Sequence, residues 1–218
     1  MMPPTTFVLQ CPDCTKYILN ATRSGNTLRS VLWSDGKLVG PMLPDVERLV
    51  LCPHCRAGIW IHELPELYEM TDEDYIDEDD LDEDDLDEVG QTYATAKYVE
   101  SLTFADYMRY LVTANIDTGK QIYVRRAAWW CANDNRRKNN PMPLTPPEIA
   151  NLRALLPLLV SSHAEQVIMK AEILRQLADF AAAQLCLESV TDPKQQYIVD
   201  FLLARIAARD ATLQRINA

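Results

Sequence analysis

The chain predicts an α+β fold, a short β-rich N-terminal segment followed by an all-helical C-terminal region. Three observations carry this reading. Four of the six cysteines form two C-x-x-C pairs, at 11–14 and 52–55; four of the six glycines lie in the first 58 residues; the last 99 residues contain none. Glycine supplies the left-handed backbone that turns require. Its absence over so long a stretch, with abundant Ala, Leu, Gln and Arg, goes with helices. The same scarcity excludes a glycine-rich phosphate loop or dinucleotide turn, and with them the nucleotide-dependent enzymes built on those motifs. At 218 residues, 48% apolar and 24% charged, the chain is long enough to bury a core without disulfides.

Taken in order, residues 1–66 hold the paired cysteines and short β-type runs. Ser30 to Trp33 and Lys37 to Val39 flank Ser34-Asp35-Gly36, a strong hairpin signal. Arg48-Leu49-Val50-Leu51 leads into the second cysteine pair and Ile59-Trp60-Ile61 leaves it. In residues 96–218 the helix starts are legible. Thr103 with Asp106, Thr145 with Glu148 behind Pro146, Ser162 with Glu165, and Asp192 before Pro193 each read as an N-terminal cap. Ile198, Phe201, Leu202 and Ile206 form one face of a final amphipathic helix.

The net charge of −11 is concentrated in one place. Residues 72–88, DEDYIDEDDLDEDDLDE, hold thirteen acids in seventeen positions, which leaves nineteen acids against twenty-one bases elsewhere. The tract has a five-residue period, but three units cannot bury a continuous core as a solenoid does. Residues 67–95 therefore read as an acidic low-complexity linker, disordered or folding only on binding. Asp79, Asp80, Asp84 and Asp85 are its candidate partner-binding residues.

Cys11-Pro12-Asp13-Cys14 and Cys52-Pro53-His54-Cys55 are the most specific motifs in the chain. Two such knuckles turn four sulfurs toward one tetrahedral ion, and four thiolates close its coordination shell. A closed shell makes the ion structural, so Zn2+ is the expected cofactor. A redox C-x-x-C is the rival reading, and the matched pair of motifs favours zinc. His54 and His62 lie nearby but are not needed as ligands, and the solitary Cys131 and Cys186 read as small buried apolar residues.

On these motifs the N-terminal segment resembles the zinc-ribbon family, although Thr15 and Arg56 stand where that family often has glycine. Residues 169–190 resemble one tetratricopeptide-type helix pair, on Ala171, Ala178, Phe180 and Ala183. The whole chain is similar to a group of uncharacterised bacterial proteins. The similarity rests on Trp33-Ser-Asp-Gly-Lys37, Pro41-Met-Leu-Pro44 and Trp129-Trp-Cys-Ala-Asn-Asp134. It implies a small N-terminal zinc ribbon (1–66) followed by a partly tetratricopeptide-like helical domain (96–218), and no established activity.

Residues 125–138 combine five bases, one acid and two adjacent tryptophans. Arg125, Arg126, Trp129, Trp130, Arg136, Arg137 and Lys138 are thus candidate partner-binding residues, by base stacking and phosphate pairing if the partner is nucleic acid. Adjacent tryptophans on a helix cannot face the same way, so one of them is expected in the core.

No acid, base or nucleophile stands in a recognisable catalytic motif around the three histidines. The expected function is therefore a non-catalytic protein-interaction module, an adaptor or an immunity or antitoxin type protein, whose acidic tract meets a basic partner. The alternative is a nucleic-acid-binding zinc ribbon with an autoinhibitory acidic tract. Weak, non-specific calcium or magnesium binding by the tract is the least favoured reading. The N-terminus lacks the basic and apolar regions of a secretory signal, and the longest apolar run, Ala154 to Val160, is broken by Pro157. A cytoplasmic protein with no membrane partner is expected.

Overall fold

In strand β1 (Thr5–Gln10), Thr6 and Val8 turn inward and are almost fully buried, the two-residue period of a strand with one covered face. β1 pairs antiparallel with β2 (Tyr17–Thr22), with Gln10 opposite Tyr17 and Thr5 opposite Thr22. The structure, a computed structural model, describes residues 5–22, 24–70, 93, 95–138, 142–160 and 162–216. The fold is α+β and divides into two units, Met1–Leu28 with Pro41–Leu102 and Arg29–Gly40 with Thr103–Ala218.

In the first unit the two C-x-x-C motifs sit at the turns of two hairpins, β1–β2 and a separate pair formed by β5 (Leu49–Leu51) and β6 (Gly58–Trp60). Two further strands complete the first sheet. β7 (Tyr68–Met70) pairs antiparallel with β1, and β8 (Lys97–Tyr98) runs parallel to β2, giving the order β7-β1-β2-β8. Residues 67–70 and 95–100 were expected in a linker and at the start of the helical domain. Instead Tyr68–Met70 and Lys97–Tyr98 are edge strands of the first unit, and Glu100 forms a bridge to it. Main-chain pairing explains this: Val99 donates to the Leu19 carbonyl at 3.0 Å, and Leu51 and Glu100 exchange bonds of 2.8 and 3.0 Å. Tyr93 contacts Tyr17 and Tyr68 ring to ring at 4.9 and 5.8 Å. The acidic tract itself, with Asp79, Asp80, Asp84 and Asp85, lies outside the described residues.

The hairpin β3 (Val31–Trp33) and β4 (Leu38–Val39), which the sequence places in the zinc ribbon, belongs to the second unit. Its three-residue turn closes with Gly36 N–H on the Trp33 carbonyl, 2.8 Å, and Trp33 N–H on the Lys37 carbonyl, 3.0 Å. Gly36 sits at φ 80°, the left-handed position such a loop requires. The C-terminal strand β9 (Arg215–Ile216) pairs with the other side of β3.

Among the described residues the second unit has six α-helices: α1 (Phe104–Thr113), α2 (Thr118–Arg137), α3 (Pro146–Leu155), α4 (Ala164–Gln176), α5 (Phe180–Glu188) and α6 (Gln196–Ala207). Thr103 caps α1 reciprocally with Asp106, and Glu148 reaches back to Thr145 N at 2.6 Å ahead of α3. The cap expected at Ser162 is not used. Helix α4 starts one residue later behind His163, and Gln166 accepts the Val160 amide at 2.8 Å. Asp192 caps a single 3-10 turn that leads into α6. Two apolar clusters hold the helices. Trp129, Leu152, Leu155, Leu159 and Ile173 join α2, α3 and α4. Ala171, Ala183, Leu187, Val199, Leu202 and Ile206 join α4, α5 and α6. Of the four residues behind the helix-pair resemblance, Ala171 and Ala183 are fully buried, whereas Ala178 is exposed in the connecting turn at φ 62°. No helix among the described residues is long and apolar enough to cross a membrane.

A polar network runs through the second unit between hairpin, helices and C-terminal segment. Glu172, 1% exposed, accepts two bonds of 2.7 Å from the Arg175 guanidinium and one each, also 2.7 Å, from Ser34 Oγ and Gln176 Nε2. Arg175 donates onward to the carbonyls of Asp210 and Thr212, and Gln176 in turn accepts Trp129 Nε1 at 3.1 Å. Removing one member of a buried ion pair strands the other without water, which costs about 3–5 kcal/mol, whereas replacing both by apolar groups is often close to neutral. Arg175→Met is expected to lower stability by about 3–5 kcal/mol. Arg175→Met with Glu172→Met should cost less than the single change. Urea unfolding midpoints of the three proteins check this.

Candidate metal centre

Each knuckle is built by its own backbone. Cys11 N–H donates to the Lys16 carbonyl and Thr15 N–H to the Cys11 carbonyl, both at 2.9 Å. The second motif repeats the pattern, with Cys52 N–H on Ala57 at 2.9 Å and Arg56 N–H on Cys52 at 3.0 Å. To close these turns, Thr15 and Arg56 adopt φ of 60° and 65°. These are the two positions at which the ribbon pattern favours glycine. The turn geometry is kept by non-glycine residues at a cost of about 1–2 kcal/mol each.

The four sulfurs of Cys11, Cys14, Cys52 and Cys55 lie within 4.8 Å of one another. Cys11 to Cys55 and Cys14 to Cys52 are both 3.7 Å. Sulfurs about 2.3 Å from a tetrahedral ion stand about 3.8 Å apart, so these two spacings match four thiolates around one metal ion. Cys11 and Cys52 are fully buried and continuous with an apolar core of Leu9, Ile18, Val50 and Ile59. Burial pushes the Cys11 thiol up to about 12, while the Lys16 backbone amide leads the effects that draw Cys14 below its ordinary value. Four thiolates in this setting need a cation, and the donor set fits one soft divalent metal ion. All six cysteines are free of disulfides.

The histidines point elsewhere. His54 Nε2 lies 3.1 Å from the Tyr17 carbonyl, and His62 lies against the Trp60 ring and 4.0 Å from Glu63. Cys186 packs at the margin of the α4–α6 core and Cys131 is half-buried on α2.

The residues of the 125–138 segment take different directions on α2. Trp129 is 2% exposed in the core. Trp130 donates its ring N–H to the Asp35 carbonyl at 2.9 Å and carries the Arg126 guanidinium 4.8 Å above its ring. Arg137, 8% exposed, pairs with the fully buried Asp35 and with Asp134 at 2.7 Å. Asn133 donates to Asp35 at 2.8 Å, and Lys37 reaches Asp134 at 3.3 Å. Burial raises the Asp35 carboxyl above its ordinary value, against the pull of Arg137 and Asn133. Arg136 is held by Glu148 at 2.9 and 3.2 Å, and Arg125 reaches Asn151 at 3.4 Å. Of the expected partner-binding residues in this segment, only Lys138 is exposed. Arg137 is drawn inward because buried Asp35 needs a counter-charge, whereas Arg136 is held by Glu148, Arg125 by Asn151 and Trp129 by the apolar core. The sequence gives no sign that Asp35 is buried, and this hid the role of Arg137.

Elemental analysis of purified protein should find one zinc per chain. Cys52→Ser should abolish it and unfold the first unit, read as loss of near-ultraviolet signal from Trp60 and the surrounding tyrosines. Thr15→Gly relieves the left-handed strain and should stabilise the zinc-bound unit by about 0.5–1 kcal/mol, read from its thermal midpoint. No known protein family, curated protein or solved structure matches the chain, so its function is argued from these residues.

Proposed function

We propose that the protein is a non-catalytic interaction module whose ribbon is held by a structural Zn2+. In this reading it is a cytoplasmic adaptor, or an immunity or antitoxin type protein, that receives a basic partner. The observation that carries the reading is the placement of the acidic tract's flanks. β7 and β8 are the two outer strands of one sheet, so the described residues on both sides of the thirteen acids of residues 72–88 belong to the four-cysteine unit. A dense block of one charge on a fixed base raises the encounter rate with an oppositely charged surface. The four-cysteine shell supports a structural ion, because a catalytic zinc keeps an open position. The α4–α5 pair, with its buried alanines, supports a tetratricopeptide-like part of the helical unit.

The nucleic-acid reading loses support from α2. Its tryptophans are buried or covered, and most of its arginines are already paired, which leaves little for base stacking. Affinity capture from host lysate with the intact chain and with residues 72–88 deleted tests the proposal. A stoichiometric protein that survives nuclease and associates more slowly with the deleted chain at low salt is the expected result. Recovery that collapses with nuclease, or an association rate indifferent to the deletion, would overturn it.

A further inference from the structure

A groove of about 1060 Å³ crosses the second unit, between the segment joining α2 to α3, the α4–α5 turn, α6 and the C-terminal residues before β9. Among the described residues four arginines line it and no carboxylate does. Arg136 is spent within the fold. Glu148 answers its charge, and it also donates to the carbonyls of Met142 and Pro143 at 2.8 and 2.7 Å. The other three are differently placed. Arg153 is exposed on α3 and makes no ion pair among the described residues. Arg205 lies 5.1 Å above Phe201, and its Nε is buried without a hydrogen-bond partner. Arg215 is exposed, 5.2 Å above the Trp33 ring. Asp210 partly answers Arg205: against its burial, the Thr212 hydrogen bonds, with Arg175 and Arg205, hold its carboxyl below the ordinary range, and no acid pairs with Arg153 or Arg215 among the described residues. The unit as a whole carries sixteen bases against twelve acids.

Between the arginines the walls are aliphatic. Met142, Leu144, Ile149, Leu177 and Leu213 supply them, and Met142 is 52% exposed. The space slightly exceeds the range of about 300–1,000 Å³ typical of small-ligand pockets. Nucleic acid is disfavoured, because base stacking needs an open aromatic face. Among the described residues Trp33 is the one aromatic side chain in the lining, is 6% exposed, and already carries Arg137 and Arg215 at 5.8 and 5.2 Å. Carboxylates spaced by aliphatic side chains match both features, since charge-assisted bonds to guanidinium are strong and directional.

We propose that this groove binds an acidic peptide segment of a partner protein, its carboxylates at Arg153, Arg205 and Arg215 and its aliphatic side chains along the Met142–Ile149 wall. The site is opposite in charge to the acidic tract and so goes beyond the proposed function, taking a second and different class of partner.

Fluorescence anisotropy with a labelled peptide of repeating Asp-Asp-Leu units tests it, on the zinc-bound full chain. Binding that weakens with salt, and at least about tenfold with Arg153→Glu and Arg215→Glu combined, is expected. Both side chains are exposed, and far-ultraviolet circular dichroism verifies that the variant folds. A peptide of Asp-Asp-Ser units should bind more weakly; equal binding would remove the aliphatic wall from the site. No binding, binding indifferent to the double variant, or tighter binding of a single-stranded oligonucleotide at the same arginines would overturn the proposal. Binding seen only after deletion of residues 72–88 would also overturn it, by naming the chain's own tract as the occupant. Loss of peptide binding leaves capture of a basic partner intact, so the two proposals fail separately.

Discussion

Two carboxylates without access to water, those of Asp35 and Glu172, govern the second unit. A buried charge is tolerated only when paired and fully hydrogen-bonded. Asp35 therefore draws in Arg137, Asn133 and the Lys37 amide, and Glu172 draws in Arg175, Gln176 and Ser34. Ser34 and Asp35 are neighbours on one tight turn, so satisfying both carboxylates fixes that turn against α2 and α4 at once. Lys37 and Trp130 add one bond each to the same fixture. The hairpin of residues 29–40 is thereby withdrawn from the stretch of chain that carries the cysteines, and β9 completes its sheet from the far end of the sequence.

The first unit is organised by a different demand. Its apolar core is small, and two of its fully buried members, Cys11 and Cys52, belong to the four-cysteine cluster that could hold a metal ion. Sheets of two and four short strands close around that point, in keeping with a fold that draws much of its cohesion from an ion. The strain accepted at Thr15 and Arg56 fits this view. Backbone in the left-handed region persists when surrounding bonds over-determine it, and each knuckle is pinned by two main-chain hydrogen bonds.

How far the sequence reveals this depends on whether the physics is local. The cysteine knuckles, the Ser34-Asp35-Gly36 turn and the caps at Thr103 and Thr145 were legible because each is complete within a few residues. Where the hairpin docks was not, since Asp35 bonds to a partner 102 residues away and Ser34 to one 138 away. Glu172 and Arg175 look like an ordinary i,i+3 surface pair on a helix, and only tertiary burial makes them central. The ends of the acidic tract misled for another reason. Three-residue strands such as Tyr68–Met70 carry too short a pattern to stand out beside thirteen acids. The groove arginines, at 153, 205 and 215, are scattered over more than sixty residues, and no spacing rule joins them.

The two units spend their charged and reactive groups in the same way. Asp35, Glu172, Arg137 and Arg175 are saturated by one another and by neighbouring amides and carbonyls, and the four thiols face one point in a closed tetrahedral set. General acid–base or nucleophilic work needs a positioned group with bonding capacity left over, and in these clusters little remains. Among the described residues, charge not consumed by the fold includes the exposed Arg153 and Arg215 of the groove, and the sequence adds the dense acidic block of residues 72–88. Groups of that kind, arranged beside aliphatic surface, are suited to holding another molecule, and that is the physical basis for reading this protein as a binder of partners of opposite charge at two separate places.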